Sequence, residues 1–109
     1  MLQLRTWYMR LAHVYMMSNK SHRLYIGATT DLVTRVKQHK NGSYPNGFTA
    51  RYKFNRLVYF ETLDSYRAAI ARERYLKGLL RKRKVELIQH KNPKWIDLSA
   101  KFDDLLMGR

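Results

Sequence analysis

Apolar and polar positions along this chain fall into short blocks, and the period of each block predicts its element. Leu11 to Met17 is a brief apolar run closed by the turn-rich cluster Ser18-Asn19-Lys20-Ser21, and Arg23 to Ala28 follows. The two read as strands of a hairpin. Strand side chains alternate between faces, so His13, Tyr15 and Met17 share one face while Val14 and Met16 take the other. Tyr25 and Gly27 likewise oppose Leu24 and Ile26, which lets both tyrosines line one surface. Thr29-Thr30-Asp31 offers capping oxygens ahead of the stripe Leu32, Val33 and Val36. That predicts a helix to about Lys40, ended by Asn41-Gly42.

Asn41 to Arg56 reads as a loop, and Leu57 to Glu61 as a third strand. Ser65 caps a long helix through Leu80, with a bend expected where Gly78 meets Arg81-Lys82-Arg83-Lys84. A further helix from about Lys82 reaches His90, where Asn92-Pro93 stops it. The segment after Trp95 is expected to pack back loosely. The order β-β-α-β-α-α is that of a small α+β domain. One domain over residues 1–109, its core at about 11–98, is the expectation for a chain of 109 residues.

Charge narrows the picture. Lysine and arginine number 22 against 8 acidic residues, for a formal net charge of +14. Such an excess repels itself, so a polyanionic partner is the natural explanation, nucleic acid first. An anionic membrane surface is the weaker reading, because the basic residues are spread along the chain and not gathered on one amphipathic segment. The absence of cysteine excludes disulfides and thiolate metal sites and fits a reducing interior. Met1 to Arg10 has neither the apolar run nor the small-residue cleavage site of a signal peptide, and cytoplasmic residence follows as the default.

Several polar groups stand out against this background. Glu73 sits four after Ala69, three after Ile70 and three before Leu76, inside the apolar stripe that continues to Leu80. A carboxylate there is costly unless it is ion-paired or binds a cation, and both readings stay open. Arg35 and His39 are one helical turn apart. They make either a solvated basic face or a pair suited to gripping phosphate and moving a proton. Tyr15 and Tyr25, taken singly, read as core aromatics. The loop mixes Tyr44, Phe48, Tyr52 and Phe54 with Arg51, Lys53 and Arg56. It serves either base stacking with phosphate contact or core packing. Lys37 and Lys77 add candidate phosphate contacts. The sequence has no phosphate-cradling glycine loop, zinc spacing or Ser/His/Asp order, and no base-reading element such as a helix-turn-helix.

Taken together these positions resemble the GIY-YIG nuclease superfamily, over roughly His13 to Leu98. The first motif stands as His13-Val14-Tyr15 and the second as Tyr25-Ile26-Gly27. Arg35 and His39 follow in Asp31 to His39, the glutamate in Ala71-Arg72-Glu73-Arg74, and a late asparagine in Asn92-Pro93-Lys94-Trp95. The likeness is greatest to short, single-domain members. It implies three antiparallel strands flanked by helices and divalent-metal-dependent cleavage of DNA, in a family that includes an excision-repair incision domain. By that resemblance Tyr15 is the general base or passes on the water's proton, and Tyr25 assists it or orients the phosphate. Arg35 stabilises the transition state and His39 supports proton transfer. Glu73 is the protein ligand of Mg²⁺ or Mn²⁺, and Asn92 is a secondary structural or site group.

A phenol titrates near ~10, so a neutral tyrosine is a poor base at neutral pH, and activity is expected to rise with pH. One position departs from the family's pattern: His13 stands where the first motif has glycine, facing the same way as Tyr15, to crowd the site or join it. A catalytic domain of this size is expected to show weak sequence preference, or structure preference, or to take specificity from a separate protein partner.

Overall fold

The hairpin forms where the apolar runs place it. β1 (Ala12–Ser18) and β2 (Leu24–Thr29) pair antiparallel, with Tyr15 opposite Gly27 and Met17 opposite Tyr25. The computed structural model describes residues 10–43 and 51–102. Residues 1–9, and with them most of the N-terminal stretch read above, lie outside the described residues, as do Tyr44 and Phe48. Asn19 builds the turn: its side-chain oxygen accepts from the Ser21 and Arg23 amides at 3.1 and 2.9 Å. Its amide nitrogen donates to the Tyr52 carbonyl at 2.9 Å, tying the hairpin tip to the chain that leads into the third strand.

α1 (Leu32–Asn41) starts under Asp31, whose carboxylate accepts from the Thr34 amide at 3.2 Å. It ends at Gly42, where φ is 70°, a left-handed cap that glycine adopts freely. β3 (Arg56–Leu63) then pairs with the far edge of β1, giving the strand order β2-β1-β3. β1, the central strand, is buried on both faces, which is why its sequence reads as an almost continuous apolar run. A bulge interrupts the β1–β3 register: Met16 faces Tyr59 and Met17 faces Leu57, leaving Val58 as the extra residue. Ser65 caps α2 (Tyr66–Gly78), its hydroxyl accepting from the Ala68 amide at 3.0 Å. The chain bends at Gly78 as expected, and α3 (Arg81–Lys91) runs to Asn92.

The alternation predicted for the hairpin divides the interior in two. Val14, Met16 and Ile26 pack with Val58, Tyr59, Leu76 of α2, Ile88 of α3 and Trp95. Tyr15 and Met17 face the other way and pack with Leu32 and Val36 of α1, Phe54 and Leu57. The sheet is therefore a middle layer, with α1 on one side and α2 and α3 on the other.

Two expectations are corrected. Leu80 does not extend the inward stripe of the long helix; the helix stops at Gly78, and Leu80 lies between helices, 78% exposed. The segment after Trp95 is not loosely packed. Asp97 accepts from the Leu57 amide at 3.1 Å, the Ser99 amide at 3.0 Å and Lys40 Nζ at 2.5 Å, and the Leu98 amide donates to the Leu57 carbonyl at 2.8 Å. One carboxylate thus holds the segment to β3 and α1 together.

Candidate active site

The centre of the site is a contact between the sheet and α1. Leu32, Val36 and His39 form the buried stripe of that helix, so a histidine occupies what its spacing makes an apolar position. Its Nε2 lies 2.9 Å from the Tyr15 hydroxyl. Depending on the imidazole tautomer, the phenol donates to Nε2 or accepts from it. Tyr25 joins them edge-on, its ring centroid 4.9 Å from that of His39 and 6.3 Å from that of Tyr15. The shared face predicted for the two tyrosines is thus realised, and a helix contributes the third member.

Gly27 makes this arrangement possible. A Cβ at that position would lie 2.6 Å from the Tyr15 hydroxyl and 2.7 Å from Cζ, well inside van der Waals contact. The phenol crosses the strand at the one residue with no side chain to obstruct it, which explains in packing terms why glycine follows Tyr25-Ile26.

Burial, and then the Arg35 guanidinium, hold His39 down to about 4, far below the usual imidazole value. His39 is therefore neutral across the physiological range. Tyr15 is wholly buried, while Tyr25 is only partly so and is the phenol nearer solvent. Arg35 is half-buried and lines a cleft of about 270 Å³ with Ala28, Thr29, Thr30 and Tyr66. This cleft is where the two helical layers meet around the end of β2: Arg35 comes from α1, and Tyr66 from the start of α2.

Glu73 lies on α2, the helix that packs on the sheet face opposite α1 and whose first residue, Tyr66, shares the cleft with Arg35. Its side chain is 16% exposed, so it sits at the margin of the buried stripe, and it pairs with Lys77 at 2.9 Å. The ion-pair reading of Glu73 is realised, in an open form, since the Lys77 side chain is 56% exposed. Among the described residues no group of three or more His, Cys, Asp or Glu side chains gathers as a metal cage. A Mg²⁺ ion needs none, because it binds through one or two carboxylates and keeps waters and substrate phosphate oxygens. A single accessible carboxylate with a displaceable lysine fits that chemistry.

The remaining candidates serve other ends. His13 does not join the hydroxyl cluster; its ring meets Phe60 of β3 edge-on at 6.1 Å, and burial pushes its pKa down. Asn92 is a structural staple. Buried, it donates to the Val58 carbonyl at 3.1 Å and the Ile96 carbonyl at 2.9 Å, and accepts from the Ile96 amide at 3.0 Å. It thereby engages the bulged residue of β3.

The basic candidates are dispersed. Lys37 is exposed on α1, and Lys77 is committed to Glu73. Arg51 lies 5.6 Å from the Tyr52 ring centroid, which Arg23 also covers at 4.5 Å. Lys53 is exposed with φ of 54°, and Arg56 begins β3. Of the loop aromatics, Phe54 is fully buried and Tyr52 packs beside it, so the described part of the loop supports core packing.

A network absent from the sequence reading joins β3 to α2. Arg72 Nε and Nη2 donate to the two Glu61 carboxylate oxygens at 2.8 and 2.9 Å, and the Tyr59 hydroxyl donates to the same carboxylate. Burial and then this hydrogen bond push Tyr59 up to about 12. Tyr59 and Glu61 lie two residues apart on β3, and only the packing of α2 against the sheet brings Arg72 to them, a contact that no local sequence pattern signals.

A three-stranded antiparallel sheet with helices on both faces, a phenol–imidazole pair within the field of the Arg35 guanidinium and a half-buried helical glutamate define a nuclease-type α+β domain. The chain belongs to the GIY-YIG family: the model of the GIY-YIG catalytic domain matches residues 11–86. A UPF0213 protein of Clostridium perfringens is 40% identical over 86 residues, covering 75% of this chain and 87% of its own. The UPF0213 protein YazA of Bacillus subtilis is 34% identical over 77 residues, covering 71% and 77%. The solution NMR structure of a UPF0213 protein from Bacillus halodurans superposes with a TM-score of 0.50 at 32% identity, covering 78% of this chain and 89% of that one. No helix among the described residues is long and apolar enough to cross a membrane.

Proposed function

We propose that this protein is a divalent-metal-dependent endonuclease that hydrolyses DNA phosphodiester bonds. The observation that carries the reading is the 2.9 Å contact between Tyr15 and His39, with Tyr25 against it and Arg35 beside it. In the reaction a water oxygen bonds to phosphorus, the opposite P–O bond breaks, and the water must lose a proton. Tyr25, the more accessible phenol, orients the water or the phosphate. The Tyr15 oxygen, ionised in a fraction that grows with pH, takes the water's proton, His39 Nε2 shares it along their hydrogen bond, and the leaving oxygen is protonated from solvent. Arg35 offers two donors to the developing charge on the phosphoryl oxygens. Glu73 would hold Mg²⁺ or Mn²⁺, which when bound neutralises phosphate charge and lowers the pKa of a coordinated water. Lys77, released from Glu73, would turn to a neighbouring phosphate.

One feature of the site couples substrate to proton transfer. Arg35 contributes to holding His39 neutral. A phosphate bound by Arg35 offsets that positive charge and makes His39 a better proton acceptor when substrate is in place.

A second reading is favoured by the complete burial of Tyr15 and the engagement of Glu73 by Lys77. On it, the chain is a nucleic-acid-binding module that keeps the fold without turnover. A cleavage survey over duplex, flap, fork and single-stranded DNA and RNA, with Mg²⁺ and with Mn²⁺, separates the two. Metal-dependent nicking of DNA supports the nuclease; binding without any product supports the module.

A further inference from the structure

Tyr66 is a large aromatic side chain left 49% exposed at the first position of α2. The helix itself does not call for it there: Ser65 already caps the end, and the position favours an acidic residue or proline over an aromatic. Its surroundings are specific. It lines the cleft at the end of β2 together with Arg35, Thr29 and Thr30. Tyr75, similarly exposed at 58%, differs in that the Arg72 guanidinium covers its ring at 5.1 Å while being tied to Glu61. Tyr66 therefore combines an exposed ring, a cleft and an adjacent guanidinium.

We infer that this cleft is a nucleotide subsite, in which Tyr66 stacks on an unpaired DNA base while Arg35 holds the neighbouring phosphate. Exposed aromatic rings beside cationic side chains are how proteins hold single strands, the ring meeting the base and the cation the backbone. A cleft of about 270 Å³ admits one nucleotide-sized group and no extended duplex. Spacing along α2 gives the subsite a position. Tyr66 and Glu73 are seven residues apart, two turns along one side of the helix, or roughly 10 Å of rise. The inference rests on the phosphodiester reading above and adds a preference for substrates with an unpaired base beside the cleavage point.

The test is binding in EDTA, so that no DNA is cut. Fluorescence anisotropy compares wild type, Tyr66→Ala, Tyr66→Phe, Tyr66→Trp and Tyr75→Ala on a labelled single strand about twelve nucleotides long and on the matching duplex. Tyr66→Ala should weaken single-strand binding about tenfold, the size of one lost stacking contact, and leave duplex binding almost unchanged. Tyr66→Phe, Tyr66→Trp and Tyr75→Ala should bind like wild type. An abasic scan of the single strand should find one position whose base matters to wild type and not to Tyr66→Ala. The inference is overturned if wild type does not bind the single strand, if Tyr66→Ala binds as wild type does, if Tyr75→Ala loses as much, or if Tyr66→Phe is as weak as Tyr66→Ala. The two non-alanine variants keep the test decisive should Tyr66→Ala fold poorly. Absence of cleavage by wild type would remove the nuclease reading and leave this binding result standing, so the two failures are distinguishable.

Discussion

Tyr15 and His39, from the central strand and the first helix, meet in a hydrogen bond of 2.9 Å with both side chains buried. A polar pair in an interior is held there by mutual satisfaction, and removing either partner strands the other. The same burial makes His39 neutral, so it acts as a hydrogen-bonding partner without carrying charge into the core.

That neutrality makes stability depend on pH. His39 titrates at about 4 in the folded protein against 6.5 for an ordinary imidazole. Between those values the unfolded chain binds the proton that the folded one excludes, so stability rises with pH through this window. It is fully present above about 6.5 and is lost as pH falls toward about 4. Thermal melts should show the melting temperature dropping over this range. His39→Gln should reduce the drop, leaving the contributions of His13 and, toward the acid end, of Glu61 and Asp97, whose pKa values are lowered as well.

Activity should follow a different curve. His39 is already neutral from pH 6 upward, so its titration adds no inflection between pH 6 and 9. The rate of the chemical step should climb across that interval, as expected of a phenol whose ionised form is the stronger base. Tyr15→Phe should lose at least a hundredfold in rate, the lower end of what a positioned proton acceptor contributes. A flat profile with chemistry rate-limiting would argue against Tyr15 as the base.

Gly27→Ala should disturb the site through packing alone. The new methyl would begin 2.6 Å from the Tyr15 hydroxyl, and a buried, hydrogen-bonded ring has little room to retreat. A cost of about 1–3 kcal/mol is expected for overpacking of this kind. Each kcal/mol lowers the melting temperature of a domain this size by roughly 4–8 °C. An unchanged melting temperature would show that the ring moves freely.

Asn92→Ala should separate structure from chemistry. The asparagine makes three hydrogen bonds to backbone, one at the β3 bulge. Losing them should lower stability by about 2–4 kcal/mol, at roughly 1 kcal/mol for each bond and more for any buried group left unsatisfied. DNA affinity of the folded fraction should be unchanged. A variant of normal stability that binds DNA poorly would return Asn92 to the site.

Much of this was legible in the sequence, and the reason is periodicity. Alternation over His13 to Met17 puts Tyr15 and Met17 on one face, which proves to be the α1 side of the sheet; the burial of His39 beside Leu32 and Val36 was not legible, because its one-turn spacing from Arg35 fits a basic face equally well. Gly42 and Asn92 marked helix ends because backbone geometry restricts what stands there. Features that depend on register were not legible. The extra residue at Val58 shifts which side chains of β3 face inward, and no local pattern announces it. The Glu61–Arg72 pair and the Asp97 anchor join residues whose neighbourhood exists only after folding. Leu80 was misread because helical spacing extends on paper past Gly78, whereas the backbone turns there.

The most direct test of the account is the metal dependence of DNA cleavage in wild type and Glu73→Gln. This substitution removes the charge that would hold the ion and keeps the shape of the side chain. Wild type should nick DNA with Mg²⁺ or Mn²⁺ and stop in EDTA. Glu73→Gln should show no nicking at any metal concentration while binding DNA as tightly as wild type or more so, with an affinity that still falls steeply with salt. Cleavage by Glu73→Gln at the wild-type rate, or cleavage by wild type undiminished in EDTA, would contradict it.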